Sequence, residues 1–149
     1  MRKIGLATLA VLAAAAAIAA SAAGTASRQL QFRAQFHQAT MLDLGRRGPS
    51  IGDEQVASGV LVDRTHRTVG TFGFTCTWVG VAKGNASESC SGWGSLHTGQ
   101  VIVAGTSNSR DDQHVWAIIG GTGSYQGAHG QIQIHDVSDT ASDLLLRFA

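Results

Sequence analysis

The sequence predicts an all-β domain of about eight antiparallel strands, arranged as a barrel or a sandwich. After residue 26, apolar and polar residues alternate with a period of two in short runs, and no segment there keeps the i, i+3, i+4, i+7 spacing of an amphipathic helix. The chain contains 19 glycines and one proline, and clusters of Gly, Asn, Asp and Ser separate the runs at roughly regular spacing. This combination is typical of small all-β domains.

The first 26 residues are predicted to be a secretory signal peptide and are set apart from the fold. Arg2 and Lys3 form a basic start, residues 4–20 are small and apolar, and residues 21–26 offer the small side chains of a cleavage site. We therefore expect a signal peptide over 1–26 and one domain over 27–149, secreted or located in the periplasm. No membrane association is expected after cleavage, with retention as an anchor as the alternative.

Eight strands are predicted from the alternation, over residues 29–40, 54–63, 68–81, 88–97, 100–107, 113–119, 128–137 and 143–148. Side chains two residues apart share one face of a strand. The first strand therefore points Leu30, Phe32, Ala34 and Phe36 inward, and the third does the same with Phe72, Phe74, Cys76 and Trp78. Burial of these two apolar stripes against each other is expected to supply most of the stability.

The glycine-rich stretch 117–133 is predicted to be a tight corner between two strands. Gly120, Gly121 and Gly123 are expected to supply the positive φ angles that such a bend needs. A phosphate-binding loop is the alternative, but a dinucleotide motif requires a different glycine spacing and a following helix, whereas a strand pattern follows here. No lysine is present in the stretch to complete a P-loop.

Cys76 and Cys90 are predicted to form a disulfide. They are the only cysteines, 13 residues separate them, and they lie on the two arms of one predicted hairpin. An even cysteine count in an exported chain favours pairing.

Charge and histidine placement argue against nucleic-acid and metal partners. Removal of Arg2 and Lys3 leaves nine basic and ten acidic residues, and the basic ones are scattered rather than clustered. The histidines show no H-x-H or H-x-x-x-H pair; they are His37, His66, His97, His114, His129 and His135. We therefore expect no metal, no cofactor and no nucleic-acid partner.

Three segments together resemble the allene oxide cyclase and dirigent barrel superfamily. They are Ile118–Gly130 with its GGTG-S-Y-x-G-A-x-G core, Gly52-Asp53 followed by residues 59–63, and residues 96–105. Their order and spacing agree over roughly residues 43–148. The resemblance implies a single eight-stranded antiparallel barrel of calycin type, which is just wide enough to hold one small ligand or to be filled by side chains.

The resemblance also implies a pocket for a small apolar or aromatic molecule, whose cyclisation or coupling the barrel would steer. The residues expected to line it are Phe36, Gln38, Phe74, Trp78, Trp93, Trp116, Tyr125 and His129. Cys76 matches a pocket-lining cysteine of the plant cyclases, which leaves a free thiol as the alternative to the disulfide.

Departures from the family leave the catalytic question open. Residues 36–41 lack the glutamate that plant cyclases carry on the first strand, and Ser124 and His129 stand where many dirigent proteins have an acid and an arginine. The alternative is a non-catalytic secreted barrel with a lumen filled by side chains, which acts through its surface or as a homo-oligomer. An interior cavity of some hundreds of Å³ would favour the ligand-binding interpretation.

Overall fold

A computed structural model describes residues 28–149, so the predicted signal peptide lies outside the described residues. The described chain forms one closed antiparallel barrel in which each strand pairs with the next and the eighth pairs with the first. The strands are β1 (Gln29–Leu42), β2 (Glu54–Val62), β3 (Thr68–Ala82), β4 (Asn85–Leu96), β5 (Gly99–Asn108), β6 (Gln113–Gly121), β7 (Gly130–Ser138) and β8 (Ala141–Phe148). The predicted all-β fold is confirmed, as a barrel. Residues 28–149 include no helix long and apolar enough to span a membrane.

The strand order defines two ends of the barrel. Because neighbouring strands are antiparallel, successive connections alternate between the ends. The closed end carries the connections at residues 63–67, 97–98 and 122–129. The open end carries the connections at residues 43–53, 83–84, 109–112 and 139–140.

Aromatic side chains form the centre of the core. Phe36 packs edge-to-face on Phe72 and Phe74, with ring centroids 5.3 Å and 6.1 Å apart, and Phe74 does the same with Trp116 at 6.1 Å. Edge-to-face pairs are favourable because the positive ring edge meets the negative ring face. The two apolar stripes expected from the sequence therefore do pack against each other.

A β-bulge in β1 reverses the face of the residues that follow it. Phe36 pairs with Gly59, but the register then shifts, so that Gln38 pairs with Ser58 and Met41 with Gln55. An extra residue in one strand moves every later side chain to the other face. Gln38 is consequently exposed instead of following Phe36 inward, whereas Met41 borders the interior at the open end.

The closed end is sealed by the glycine-rich corner. After β6, a short 3-10 helix (Gly123–Tyr125) places the Tyr125 ring, 4% exposed, in a stack on Phe148 at 5.9 Å. Above the Tyr125 ring, the guanidinium of Arg28 lies 5.0 Å from the ring centroid. This arrangement leaves Tyr125 inaccessible from the interior of the open end.

The glycines of the corner are required for different reasons. Gly123 has φ +58°, but Gly120 and Gly121 do not have positive φ angles, so that part of the sequence expectation is wrong. Gly121 is required because a Cβ there would lie 2.6 Å from the Tyr125 carbonyl oxygen. A Cβ on Gly120 would meet nothing within 4 Å. Close backbone approach, and not φ alone, therefore explains the glycine pair.

Candidate functional site

The open end contains a cavity of about 670 Å³, here called the mouth cavity. Its lining combines aromatic, hydroxyl, amide, imidazole and carboxyl side chains. Four residues form a floor shared with the interior below: Phe36, Phe74, Trp116 and Ile134. The cavity therefore has an apolar floor and a polar wall.

The interior below this floor, here called the lumen, is almost filled. Its free volume is about 80 Å³, and apolar side chains such as Phe32, Leu61 and Leu144 surround it. Ligand sites typically occupy several hundred Å³. A drug-sized molecule therefore fits the mouth cavity and not the lumen.

Glu88 is the buried acid of the mouth cavity. It lies on β4 in phase with Ala86 and Cys90, both buried, while Ser87 and Ser89 between them are exposed. Only 6% of Glu88 is exposed, and burial raises the pKa of its carboxyl because the charged form loses hydration. The positive charge of a protonated His114 and the indole N–H of Trp78 act in the opposite direction.

Trp78 faces Glu88 across the β3–β4 ladder. Its indole nitrogen is buried and does not reach hydrogen-bonding geometry with any described group, and the same is true of the side-chain oxygen of Asn108. Both residues line the mouth cavity. Because buried polar atoms are normally paired, these two are candidates for hydrogen bonds to a ligand.

Three further polar side chains form a cluster across β6, β7 and β8. The Nε2 atom of His114 lies 3.4 Å from Oδ2 of Asp136, and the buried Ser142 hydroxyl donates to Oδ1 of Asp136 at 2.5 Å. A carboxylate that contacts one imidazole nitrogen fixes the orientation of the ring. His114 and Asp136 thus form an oriented pair on the cavity wall.

The predicted Cys76–Cys90 disulfide is confirmed. The two residues are directly opposed on β3 and β4, with Cα atoms 4.0 Å apart, and Cys76 lines the mouth cavity. The sulfur atoms and a carboxylate oxygen of Glu88 lie within 4.8 Å of one another. Because the sulfurs are joined, they are not thiolate ligands in this form, and Cys76 has no free thiol.

The structure brings together four of the eight residues expected to line a pocket: Phe36, Phe74, Trp78 and Trp116. The indole of Trp116 is held by a 3.0 Å hydrogen bond to the Ser107 hydroxyl.

The other four lie elsewhere. Trp93 is 42% exposed, packs on Gly73 of the neighbouring strand at the outer face of the barrel, and does not line the mouth cavity. Gln38 is outside because of the bulge. Tyr125 and His129 are at the closed end, where His129 is exposed.

Sequence reasoning missed Glu88, His114 and Asp136. The alternation on β4 does predict an inward Glu88, because Glu88 and Cys90 are two residues apart and therefore share one face of the strand. The family resemblance pointed instead to charged residues on β1 and in the glycine-rich corner. Glu88 and Asp136 reach the cavity from β4 and β7, and not from β1 or the glycine-rich corner.

Comparison with known proteins gives a family match and several similar structures. The family described as "allene oxide cyclase barrel like domain" matches residues 29–146. A pyocyanin demethylase is 22% identical, with TM-score 0.75, over 82% of this chain and 100% of that one. The Diels Alderase AbmU from Streptomyces koyangensis is 12% identical, with TM-score 0.63, over 86% of this chain and 72% of that one.

The pterocarpan synthase dirigent protein GePTS1 is 15% identical, with TM-score 0.63, over 82% of this chain and 86% of that one. A comparison with curated proteins finds no match. At these identities the similar structures establish the fold alone.

Proposed function

The chain belongs to the family of allene oxide cyclase barrel like domains, and on that premise we propose that it binds a small, largely apolar molecule in the mouth cavity and steers its cyclisation or coupling. The observation that carries the proposal is Glu88, a buried carboxyl on the wall of an aromatic-floored cavity. Buried titratable groups in a cleft are the usual mark of a functional site.

Size and lining support a ligand of this kind. A volume of about 670 Å³ lies within the range of small-molecule sites. Phe74 and Trp116 offer flat apolar contact area, while Glu88 and Asn108 offer polar atoms that fix an orientation. The ligand would place its apolar body on the floor and its polar group against the wall.

The chemistry available is proton transfer. A carboxyl with a raised pKa exchanges a proton near neutral pH more readily than an ordinary glutamate does. Glu88 would therefore donate a proton to, or accept one from, the polar group of the bound molecule. His114, whose ring is oriented by Asp136, would be the second side chain in the cavity that can donate or accept a proton. The similar structures bear the names of a demethylase, a Diels Alderase and a pterocarpan synthase, which supports a small-molecule role.

A non-catalytic barrel is the second candidate. The nearly filled lumen favours it, because no ligand can pass below the floor. Exposed apolar side chains on the outer wall, including Trp93, Val115 and Ile119, would then serve association with a partner or a second copy. Such a protein would bind molecules in the mouth cavity without converting them, or would not bind them at all.

We further propose that the protein is exported. The N-terminal sequence of residues 1–26 and the Cys76–Cys90 disulfide support this location, since disulfides persist in oxidising compartments. Sequencing of the N-terminus of the protein recovered outside the cytoplasm is the test. A start between residues 23 and 28 is expected, and a cytoplasmic protein that retains Met1 would contradict the proposal.

Occupancy of the mouth cavity can be tested with two neighbouring substitutions. Met41→Trp would fill part of the cavity, whereas Thr40→Trp is the matched control, because Thr40 lies on the opposite face of the same exposed strand segment. The probe is N-phenyl-1-naphthylamine, a neutral aromatic amine whose fluorescence rises in apolar sites. We expect one probe per chain in the parent and in Thr40→Trp, and at least roughly tenfold weaker binding in Met41→Trp. Equal binding by both variants would overturn the proposed site.

A further inference from the structure

The mouth cavity has a strongly one-sided charge. Its lining includes four carboxylates, Glu88, Asp111, Asp136 and Asp139, and one imidazole, but no lysine or arginine among the described lining residues. Carboxylates concentrated in a low-dielectric cleft focus a negative potential. An anionic ligand would meet repulsion from most of the wall.

The wider charge distribution agrees with this polarity. At the closed end, four arginines (Arg28, Arg64, Arg67 and Arg147) accompany the single carboxylate of Asp63. At the open end, four basic residues accompany eight carboxylates. The barrel therefore presents opposite charges at its two ends, and the cavity opens at the negative one.

The carboxylates of the mouth lack cationic side-chain partners. The two described arginine–carboxylate ion pairs, Arg33–Asp143 and Arg67–Asp63, lie outside the mouth cavity. At the open end, Arg110 is directed to the carbonyl of Lys83 at 2.9 Å. Among the described basic and imidazole side chains, only His114 lies within ion-pair distance of a mouth carboxylate, that of Asp136.

Glu88 supplies an independent indication of a ligand. It is more than nine-tenths buried, it lines the cavity, and the indole N–H of Trp78, which faces it across the ladder, does not reach hydrogen-bonding geometry. A buried carboxylate without a partner is unfavourable unless another charge compensates it. A positively charged group of a ligand, placed beside Glu88, would provide that compensation.

The aromatic lining suits the same kind of ligand. Phe36, Phe74, Trp78 and Trp116 line the same cavity as Glu88, and Trp78 is directly opposite Glu88 in the β3–β4 ladder. Aromatic rings attract cations through their negative faces, and sites that recognise quaternary ammonium groups surround the cation with several such rings. An apolar molecule that carries a positive charge therefore complements both parts of the wall.

From the charge, the buried Glu88 and the aromatic lining, we infer that the ligand of the mouth cavity is an organic cation, a compact aromatic or apolar molecule with a protonated amine or a charged ring nitrogen. This inference rests on the proposed function, because it names the ligand class of the same cavity. The cationic centre lies beside Glu88, with the apolar part on the floor formed by Phe74 and Trp116.

Three tricyclic probes of the same shape test the inference at pH 8. They are 9-aminoacridine, which is cationic, acridine, which is neutral, and acridine-9-carboxylate, which is anionic. Titration calorimetry on the disulfide-bonded protein should give 9-aminoacridine roughly tenfold tighter binding than acridine, and acridine-9-carboxylate the weakest. The preference of the parent protein for the cation should shrink as salt concentration rises.

Two matched substitutions test whether the preference for the cationic probe depends on Glu88. Glu88→Gln should weaken 9-aminoacridine by roughly tenfold and leave acridine unchanged. Asp112→Asn removes the same charge at the open end from a residue that does not line the cavity, and should change neither probe by more than about twofold.

The outcomes distinguish a failure of the cation inference from a failure of the proposed binding site. Equal affinity for all three probes would overturn the cation inference and leave the proposed binding site standing. Absence of binding by every probe would overturn both. Equal losses in Glu88→Gln and Asp112→Asn would also overturn the inference, because the preference would then reflect net charge and not contact with Glu88.

Discussion

The glycine-rich corner of the closed end and the wall of the mouth cavity differ in how their polar groups are paired. At the closed end, the backbone of the corner is paired: the amides of Thr122 and Ser124 donate to the carbonyls of Gln100 and Thr98 at 2.9 Å each. At the open end, the Glu88 carboxyl is buried, and the Trp78 indole nitrogen and the Asn108 side-chain oxygen are unpaired. Unpaired buried groups cost stability. We infer that the closed end is built for stability and the open end for a ligand.

The largest expected effect is at the closed end. Gly121→Val should lower the free energy of unfolding by about 3 kcal/mol, because a Cβ at this position would overlap the Tyr125 carbonyl oxygen and side chain. Gly120→Val is the control on the neighbouring residue, since a Cβ there meets no atom within 4 Å. Urea unfolding of both variants measures the difference.

A Gly121→Val protein as stable as its Gly120→Val counterpart would remove the distinction. The corner would then tolerate side chains generally, and the closed end would not owe its shape to close backbone approach.

The fold could be predicted from the sequence because its main signals are local. Alternation gave the eight strands and their inward faces, and the two cysteines stood opposite each other in a single hairpin. The site was harder, because it depends on registers that local alternation does not specify. The bulge after Phe36 turns Gln38 outward, and the bulged residues 36–38 include no glycine or proline that would indicate it.

Aromatic residues were also poor guides to the cavity. Trp93 and Tyr125 are large and were expected to line a pocket, but each packs against a particular neighbour, Gly73 and Phe148 respectively. Polar residues of the correct strand parity were better guides. Glu88 lies between Ser87 and Ser89 on β4, shares the inward parity of Cys90, and is the only acid on that strand.

The second prediction tests how much the buried Glu88 carboxylate lowers the free energy of unfolding. Glu88→Gln should raise the free energy of unfolding by on the order of 1 kcal/mol at pH 8, because a neutral amide loses less on burial than a carboxylate does. The folded-state pKa of Glu88 is raised, so the parent gains stability as Glu88 becomes protonated at low pH. The advantage of the variant should therefore appear as pH rises above the ordinary value of 4.5 and disappear below it.

Asp53 provides the opposite control at the same end. It is also buried, but the backbone amides of Ser50 and Leu44 donate to it, which lowers its pKa. Asp53→Asn should therefore reduce stability above the ordinary pKa of 3.8, and the loss should fade as pH falls through the lowered folded-state value. Thermal unfolding of the parent and both variants between pH 3 and pH 8 measures the contrast. A Glu88→Gln protein less stable than the parent at pH 8 would contradict the view that this carboxylate is uncompensated.

The smallest expected effects concern the positions that the family resemblance pointed to. Ser124 and His129 are exposed at the closed end, and neither lines the mouth cavity. The His129 ring makes one contact, 3.3 Å from the Gly127 carbonyl oxygen, and Ser124 contributes its backbone amide to the corner rather than its hydroxyl. Ser124→Ala and His129→Ala should each change stability by less than about 0.5 kcal/mol. They should also leave the affinity for N-phenyl-1-naphthylamine unchanged, while Met41→Trp lowers it. A loss of probe binding in His129→Ala with an unchanged melting temperature would mean that a ligand also reaches the barrel at the closed end. The functional contrast between the two ends would then be wrong, even though their difference in backbone pairing would remain.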